Sequence, residues 1–123
     1  MHELSVCQAL LGQVAEIAQR RGASVVERIT IEVGPLSGIE PELLAGAFAI
    51  LRGGGCAAQA LLSIEATRVT VSCVGCGAQS PAEPSRLVCA ECGGFRTRVV
   101  AGDELRLRRL ELRVPQSRSE LTV

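Results

Sequence analysis

The chain of 123 residues contains no lysine, tryptophan or tyrosine, and it has a single histidine. Thirteen arginines balance thirteen acidic residues, so the formal net charge is zero and there is no overall positive field to attract nucleic acid or anionic lipid. Phe48 and Phe95 are the two phenylalanines, which leaves little aromatic surface for stacking on bases. The composition therefore argues against a nucleic-acid-binding protein.

Long apolar runs are also absent from the sequence. No window holds the roughly 18 consecutive apolar residues of a membrane span, and the opening MHELSVCQ lacks the basic segment of a secretory signal. We therefore expect a cytoplasmic protein that does not bind membranes. Cysteines usually stay reduced in that compartment, so the six cysteines indicate metal ligands or buried thiols before disulfides.

The first half of the chain predicts the order helix, strand, helix. Residues 4–20 carry apolar side chains at helical spacing, namely Leu4, Cys7, Leu10, Leu11, Val14, Ile17 and Ala18. The alternation of Ile29, Ile31 and Val33 with polar residues is typical of a half-buried strand. Pro41 suits the first turn of a second helix, whose apolar residues are Leu44, Ala47, Phe48 and Leu51.

Two further segments, LLSIEATRVTV and DELRLRRLELRV, each predict one strand. Within each segment the apolar residues change parity once, which predicts a bulge or a change of packing face. We expect an α+β fold in which two helices lie on a three-stranded sheet, with an inserted small zinc-ribbon module of four cysteines. The predicted domains are a discontinuous α+β domain of residues 1–71 and 101–114, a zinc ribbon of residues 72–100, and a mobile polar tail of residues 115–123.

Four cysteines form two CxxC pairs that are separated by twelve residues. Cys73 and Cys76 form the first pair, and Cys89 and Cys92 the second. A CxxC turn directs two thiolates at one tetrahedral ion, so two such turns complete a closed site that favours structural zinc, with iron as its rival. A redox role would need a thioredoxin-like strand and helix around a single CxxC, which neither pair has.

The only histidine, His2, lies beside the amino terminus. Methionine is removed when the second residue is small, so we expect Met1 to remain. The amine of Met1, the amide and imidazole nitrogens of His2 and the amide nitrogen of Glu3 are close enough in sequence to chelate one ion. A planar nitrogen set suits Ni(II) or Cu(II), and the Glu3 carboxylate either adds an axial ligand or favours the helix N-terminus.

Several segments together resemble the HypA/HybF family of hydrogenase-maturation nickel metallochaperones. They are MHELSVCQALL, ITIEVGPLSGIEPELLAGAF, the CVGC and CAEC pairs, and GDELRLRRLEL, and the resemblance runs from Met1 to about Val114. It implies a protein without catalytic residues that binds nickel at Met1, His2 and Glu3 and zinc at the four paired cysteines. It also implies a HypB-type GTPase as partner and delivery of nickel to the [NiFe] hydrogenase large subunit. A homodimer stays open.

Two other functions remain as alternatives at this point. One is a nucleic-acid-binding or protein-interaction zinc ribbon that would use Arg86, Arg96 and Arg98. The other is a small enzyme in which His2 activates the thiol of Cys7 or Cys56.

Overall fold

The computed structural model describes residues 2–115 and 117–122, with residues 117–121 described by their backbone alone. Two helices and seven strands are present in these residues, in the order α1 (Glu3–Arg20), β1 (Val25–Val33), α2 (Pro41–Leu51), β2 (Leu61–Ala66), β3 (Val69–Cys73), β4 (Gln79–Ala82), β5 (Thr97–Ala101), β6 (Leu105–Val114) and β7 (Ser117–Thr122). The strands form one sheet in the order β2-β1-β6-β7 and another in the order β4-β3-β5.

The chain divides into two compact units. The first unit consists of Met1–Glu32, Glu40–Glu65 and Arg106–Val123, and the second consists of Val33–Ile39 and Ala66–Leu105. The predicted α+β class, with two helices and a separate four-cysteine unit, is confirmed.

The core of the first unit lies between its helices and strands β1 and β6. α1 packs against α2, and α2 begins at Pro41, as its ring at the first helical position favours. The strand pattern around Ile29, Ile31 and Val33 is confirmed, since all three side chains are buried. The other buried apolar residues of these elements are Cys7, Leu10, Val14, Ala18, Val26, Leu44, Ala47, Phe48, Leu107, Leu110 and Leu112.

The first turn of α1 differs from the predicted stripe. Leu4 is 56% exposed, whereas Glu3 is only 6% exposed and occupies the position one turn before Cys7. Helical spacing alone cannot choose between the two residues, because both lie within one turn of the stripe. The burial of Glu3 is explained by a hydrogen bond from outside the helix, described below.

The second unit joins a small sheet to the segment Val33–Ile39. The N–H groups of Gly34 and Leu36 donate hydrogen bonds of 2.7 Å to the carbonyls of Glu104 and Gly102. A side chain at Gly34 would overlap the backbone of Gly102, so only glycine permits this approach. The segment therefore lies with the cysteine-containing part of the chain, although our prediction placed it in the first domain.

Two predicted segments differ from the observed strands. LLSIEATRVTV forms two strands in different sheets, β2 and β3, and its parity change marks the passage between them. The segment 115–123, predicted as a mobile tail, contains β7, which pairs antiparallel with β6 and makes the first unit's sheet four-stranded rather than three-stranded. A polar composition does not reveal this strand, because the pairing uses backbone groups.

No helix among the described residues is long and apolar enough to cross a membrane.

Candidate metal centres

The four paired cysteines converge in the second unit. Their Sγ atoms all lie within 4.8 Å of one another, and both the Cys73–Cys92 and the Cys76–Cys89 Sγ distances are 3.6 Å. Sulfurs bound to one tetrahedral zinc at 2.3 Å lie about 3.8 Å apart. The donor set and its spacing therefore fit a four-thiolate ion, and the structure brings together the four cysteines that the spacing predicts.

The two CxxC turns have the same backbone geometry. Gly77 donates its N–H to the Cys73 carbonyl at 3.0 Å, and Gly93 donates to the Cys89 carbonyl at 2.9 Å. Both glycines have positive φ, of 77° and 74°, which residues with a Cβ rarely adopt. A glycine directly follows each CxxC pair in the sequence. In both turns this position needs a positive φ, which explains the choice of glycine.

Contacts outside the turns hold them in place. The Ala90 N–H donates to Ser80 Oγ at 3.0 Å, and the Val74 N–H donates to the Arg96 carbonyl at 2.8 Å. Thr97 Oγ1 donates to the Leu87 carbonyl at 2.6 Å. The strands β4 and β5 therefore position the two turns, which local sequence does not indicate.

Backbone N–H groups also favour the thiolate form of two cysteines. The Cys92 N–H lowers the pKa of Cys89 to about 6, and the Cys76 N–H, 3.4 Å from Cys73 Sγ, lowers the pKa of Cys73. Cys73 and Cys89 are the buried members of the cluster, whereas Cys76 and Cys92 are exposed. Cys73 and Cys89 therefore favour the thiolate form, whereas the hydrogen bond with Cys89 raises the pKa of Cys76 to about 11 and the hydrogen bond with Cys73 raises the pKa of Cys92.

The amino-terminal site is described from His2 onward, and the predicted ligand Met1 lies outside the described residues. His2 is exposed and occupies the N-cap of α1, where its carbonyl accepts from the Val6 N–H at 2.9 Å and from Ser5 Oγ at 3.1 Å. His2 and Glu3 are the N-cap and the first residue of α1, so their N–H groups come before the first N–H groups that donate to carbonyls within the helix. These are the two amide nitrogens that the predicted planar chelate requires.

Glu3 is held by the residue that precedes α2. The Glu40 N–H donates to Glu3 Oε2 at 3.0 Å, and this hydrogen bond lowers the pKa of Glu3 to about 2. The sequence did not indicate a role for Glu40, because its contact with Glu3 spans 37 residues. Only the neighbouring Pro41 indicated that a helix begins here. A depression of about 420 Å³ beside these groups is lined by His2, Glu3, Leu4, Ser5 and Leu43.

The remaining candidate residues lie elsewhere. Cys7 is 2% exposed and burial raises the pKa of its thiol, which is the opposite of what an activated nucleophile needs. Cys56 is half-buried. Arg86, Arg96 and Arg98 are exposed on the second unit, as is Phe95, at 83%.

An α+β unit and a second unit built around four convergent thiols define a small metal-binding protein. The model of the HypA family, described as hydrogenase/urease nickel incorporation, metallochaperone, matches residues 1–112. The chain belongs to the HypA family of nickel metallochaperones, which act in hydrogenase maturation. The resemblance seen in the sequence is therefore confirmed.

Individual relatives match this chain over nearly their whole length. Hydrogenase maturation factor HypA of Aquifex aeolicus is 35% identical over 114 residues, which is 93% of this chain and 99% of that protein. The Nitrosospira multiformis protein of the same name is 40% identical over 112 residues, or 91% and 97% of the two chains. The solution structure of the Ni metallochaperone HypA from Helicobacter pylori has a TM-score of 0.69 at 28% identity and covers 93% of this chain and 99% of its own.

Proposed function

We propose that this protein binds Ni(II) at its amino terminus through Met1, His2 and Glu3 and delivers it to [NiFe] hydrogenase. The observation that carries the proposal is the family match, which begins at the first residue and therefore includes this terminus. The similar Helicobacter pylori protein is itself titled a Ni metallochaperone. The family description includes urease, but the curated relatives are named hydrogenase maturation factors, so hydrogenase is the proposed destination.

The chemistry of the terminus supports nickel carriage rather than storage. The Met1 amine, the two amide nitrogens and the His2 imidazole form a planar nitrogen set that suits Ni(II). His2 is exposed, so an acceptor can displace donors one at a time without opening a cage. Protons compete for the same nitrogens, so nickel affinity falls as pH decreases.

The cysteine cluster is proposed to hold zinc in a structural role. Four thiolates at tetrahedral spacing leave no open position for a catalytic water, and when bound the ion supplies crosslinking of the two CxxC turns. Cys73, Cys76, Cys89 and Cys92 would be its ligands, within a zinc ribbon of residues 72–100. The protein then acts without chemical turnover.

The proposed partners and the proposed cellular compartment follow from the family resemblance. A HypB-type GTPase and the [NiFe] hydrogenase large subunit are the proposed partners, and the cytoplasm is the proposed compartment. Nucleic acid is not a proposed partner, because the net charge is zero.

Nickel titration of two versions of the protein tests the terminal site. One version has the native start and the other carries one extra residue before Met1. We expect a planar-nickel absorption band and near-stoichiometric binding only with the native start, and loss of both in His2→Ala. Zinc analysis of all samples serves as the control, since the cysteine cluster is unchanged. Equal nickel binding by the extended protein or by His2→Ala would refute the site.

A further inference from the structure

The carbonyl of His2 accepts two hydrogen bonds from the first turn of α1. The Val6 N–H donates to it at 2.9 Å, which is the first bond of the helical ladder, and Ser5 Oγ donates to it at 3.1 Å. The ladder requires only the bond from Val6, so the bond from Ser5 is additional. Ser5 also lines the depression that His2 and Glu3 line. Its hydroxyl is therefore part of the amino-terminal site.

The His2 carbonyl belongs to the same peptide group as the Glu3 nitrogen, which is one of the proposed nickel ligands. In a trans peptide the C=O and N–H bonds point in opposite directions, and no cis peptide is present among the described residues. The bonds from Ser5 and Val6 direct the carbonyl oxygen into the first turn of α1, so the Glu3 nitrogen is directed out of the helix. The two donors thus set the direction of a ligand atom.

The backbone of His2 is also rotated as a chelate requires. Its ψ is 21°, which places the amide nitrogens of His2 and Glu3 on the same side of the bond that separates them, so that both can close a short ring on one ion. Residues at a helix N-cap usually have an extended backbone, with ψ above about 100° and the two nitrogens pointing apart. Because ψ determines where the carbonyl oxygen lies, the hydrogen bonds to that oxygen maintain the chelating rotation.

Nickel binding would add charge to the oxygen that Ser5 contacts. When Ni(II) replaces the proton of the Glu3 amide, the proton leaves to solvent, and resonance in the peptide group shares the negative charge between the nitrogen and the His2 carbonyl oxygen. Hydrogen bonds to a charged oxygen are roughly twice as strong as those to a neutral one. The Ser5 hydroxyl, together with the N-terminal dipole of α1, therefore stabilises the nickel-bound peptide more than the metal-free peptide.

We propose that Ser5 is a positioning residue for nickel. Its hydroxyl holds the peptide between His2 and Glu3 in the orientation that chelates the ion, and it stabilises the charge that coordination places on the His2 carbonyl. This role rests on the proposed terminal nickel site and adds to that site a residue that is not a ligand. The ordinary alternative is a serine hydroxyl that bonds to a backbone carbonyl of its own helix, which predicts no effect on nickel.

Nickel titration of Ser5→Ala and Ser5→Thr separates these two explanations. Ser5→Ala should raise the nickel dissociation constant about fivefold, because the gain in hydrogen-bond strength on coordination is lost. Ser5→Thr keeps a hydroxyl that can reach the same carbonyl and should bind nickel like the parent. Alanine has a higher helix propensity than serine, so a weakened α1 cannot explain weaker binding by Ser5→Ala. Gln8→Ala is the matched control, since Gln8 is exposed on the next turn of α1.

A carbon label at the His2 carbonyl gives a direct spectroscopic readout. His2 is the only histidine of the chain, so histidine labelled with ¹³C at its carbonyl carbon marks this peptide group alone. Planar Ni(II) is diamagnetic, so the NMR resonance remains observable in the nickel-bound protein. Nickel should shift this resonance in the parent and in Ser5→Thr by similar amounts. The shift in Ser5→Ala should differ from both, because its nickel-bound carbonyl lacks one donor.

The outcomes distinguish failure of the Ser5 role from failure of the terminal site. Equal nickel affinities and equal nickel-induced shifts in the parent and Ser5→Ala would overturn the role of Ser5 and leave the terminal site intact. So would Ser5→Thr binding as weakly as Ser5→Ala, or an equal loss of affinity in Gln8→Ala. If the His2 resonance of the parent does not respond to nickel, the Glu3 amide is not a ligand, and the terminal site and the role of Ser5 are both wrong.

Discussion

Glu3 connects the first turn of α1 to the start of α2. The Glu40 N–H donates to its carboxylate and lowers the pKa of Glu3 from 4.5 to about 2. A carboxyl whose pKa is lower in the folded chain stabilises the fold above its unfolded pKa, and this contribution is lost as pH falls through the folded pKa. We expect Glu3→Gln to unfold at lower urea concentration than the parent at pH 6, and the difference to shrink as pH falls from about 4.5 towards about 2.

Urea titrations of metal-free protein at a series of pH values measure this difference. The helical circular dichroism signal reports on the first unit, which contains both helices. Glu42→Gln is a suitable control, since Glu42 is exposed in the first turn of α2. A difference between Glu3→Gln and the parent that stays constant over this pH range would show that the carboxylate does not act through its charge.

Arg52 ties the end of α2 to the loop that follows it. Its guanidinium lies 4.6 Å from the centre of the Phe48 ring and donates to the carbonyls of Ala57, at 3.3 Å, and Ala60. Charged hydrogen bonds to partly buried carbonyls are worth more than exposed ion pairs. We therefore expect Arg52→Ala to lower the free energy of unfolding by about 2 kcal/mol, as measured by urea denaturation.

Arg20→Ala provides the comparison for Arg52. Arg20 pairs with Glu16 at 3.0 Å, and both side chains are well exposed, so its removal should cost about 0.5 kcal/mol or less. Arg52→Lys should recover only part of the loss, because an ammonium group lacks the planar guanidinium that lies over the Phe48 ring. Equal losses from the Arg20 and Arg52 changes would contradict the proposed contacts.

At the scale of elements, the periodicity of apolar residues predicted the helices and strands whose position is set by local sequence. The two helices and β1 follow from apolar spacing, because burial on one face imposes that spacing on the sequence. The division of LLSIEATRVTV into β2 and β3 depends instead on distant partners of Thr67, whose N–H donates to the Val33 carbonyl at 3.2 Å and whose hydroxyl donates to Glu104 at 2.8 Å. Such contacts leave no local signal beyond the change of parity.

Gly34 lies where the segment Val33–Ile39 approaches the backbone of Gly102 in the second unit. A Cβ there would overlap the Gly102 carbonyl, and the neighbouring contact is backbone rather than a flexible side chain. We expect Gly34→Ala to destabilise the second unit by about 2 kcal/mol, measured by hydrogen exchange of β3 and β5. Gly12→Ala is the control: Gly12 lies inside α1 with no atom near its added methyl, so this change should stabilise the chain by up to about 1 kcal/mol. Equal effects would contradict the steric explanation.

For the whole molecule, the cysteine site was the most predictable part, because two CxxC pairs encode both the ligands and the turns that direct them. Residue spacing could not show that Ser80 and Thr97 hold those turns through hydrogen bonds to Ala90 and Leu87. The terminal site was predictable only as a set of nitrogen donors, since the link between Glu3 and Glu40 arises from folding. Short sequence motifs thus predicted the metal-binding residues, whereas the contacts that position these residues depend on the fold.

The two units should respond differently to loss of metal. The segment Ala66–Leu105 of the second unit buries few apolar side chains, namely Val69, Val71, Cys73 and Cys89, and two of them are proposed zinc ligands. Such a small core depends on a crosslinking ion, whereas the first unit has an apolar core of its own. We expect chelation, or Cys89→Ser, to unfold the second unit while α1 and α2 persist.

Amide NMR spectra and the 222 nm signal before and after chelation measure this difference. Resonances of β3, β4 and β5 should collapse towards unfolded positions, while the signal of the two helices is largely retained and zinc restores the original spectrum. Cys56→Ser is the matched control, because Cys56 is a cysteine outside the four-thiol cluster and its loss should leave metal content and both units intact. Simultaneous loss of both units in one transition would show that the first unit's core is insufficient without the ion.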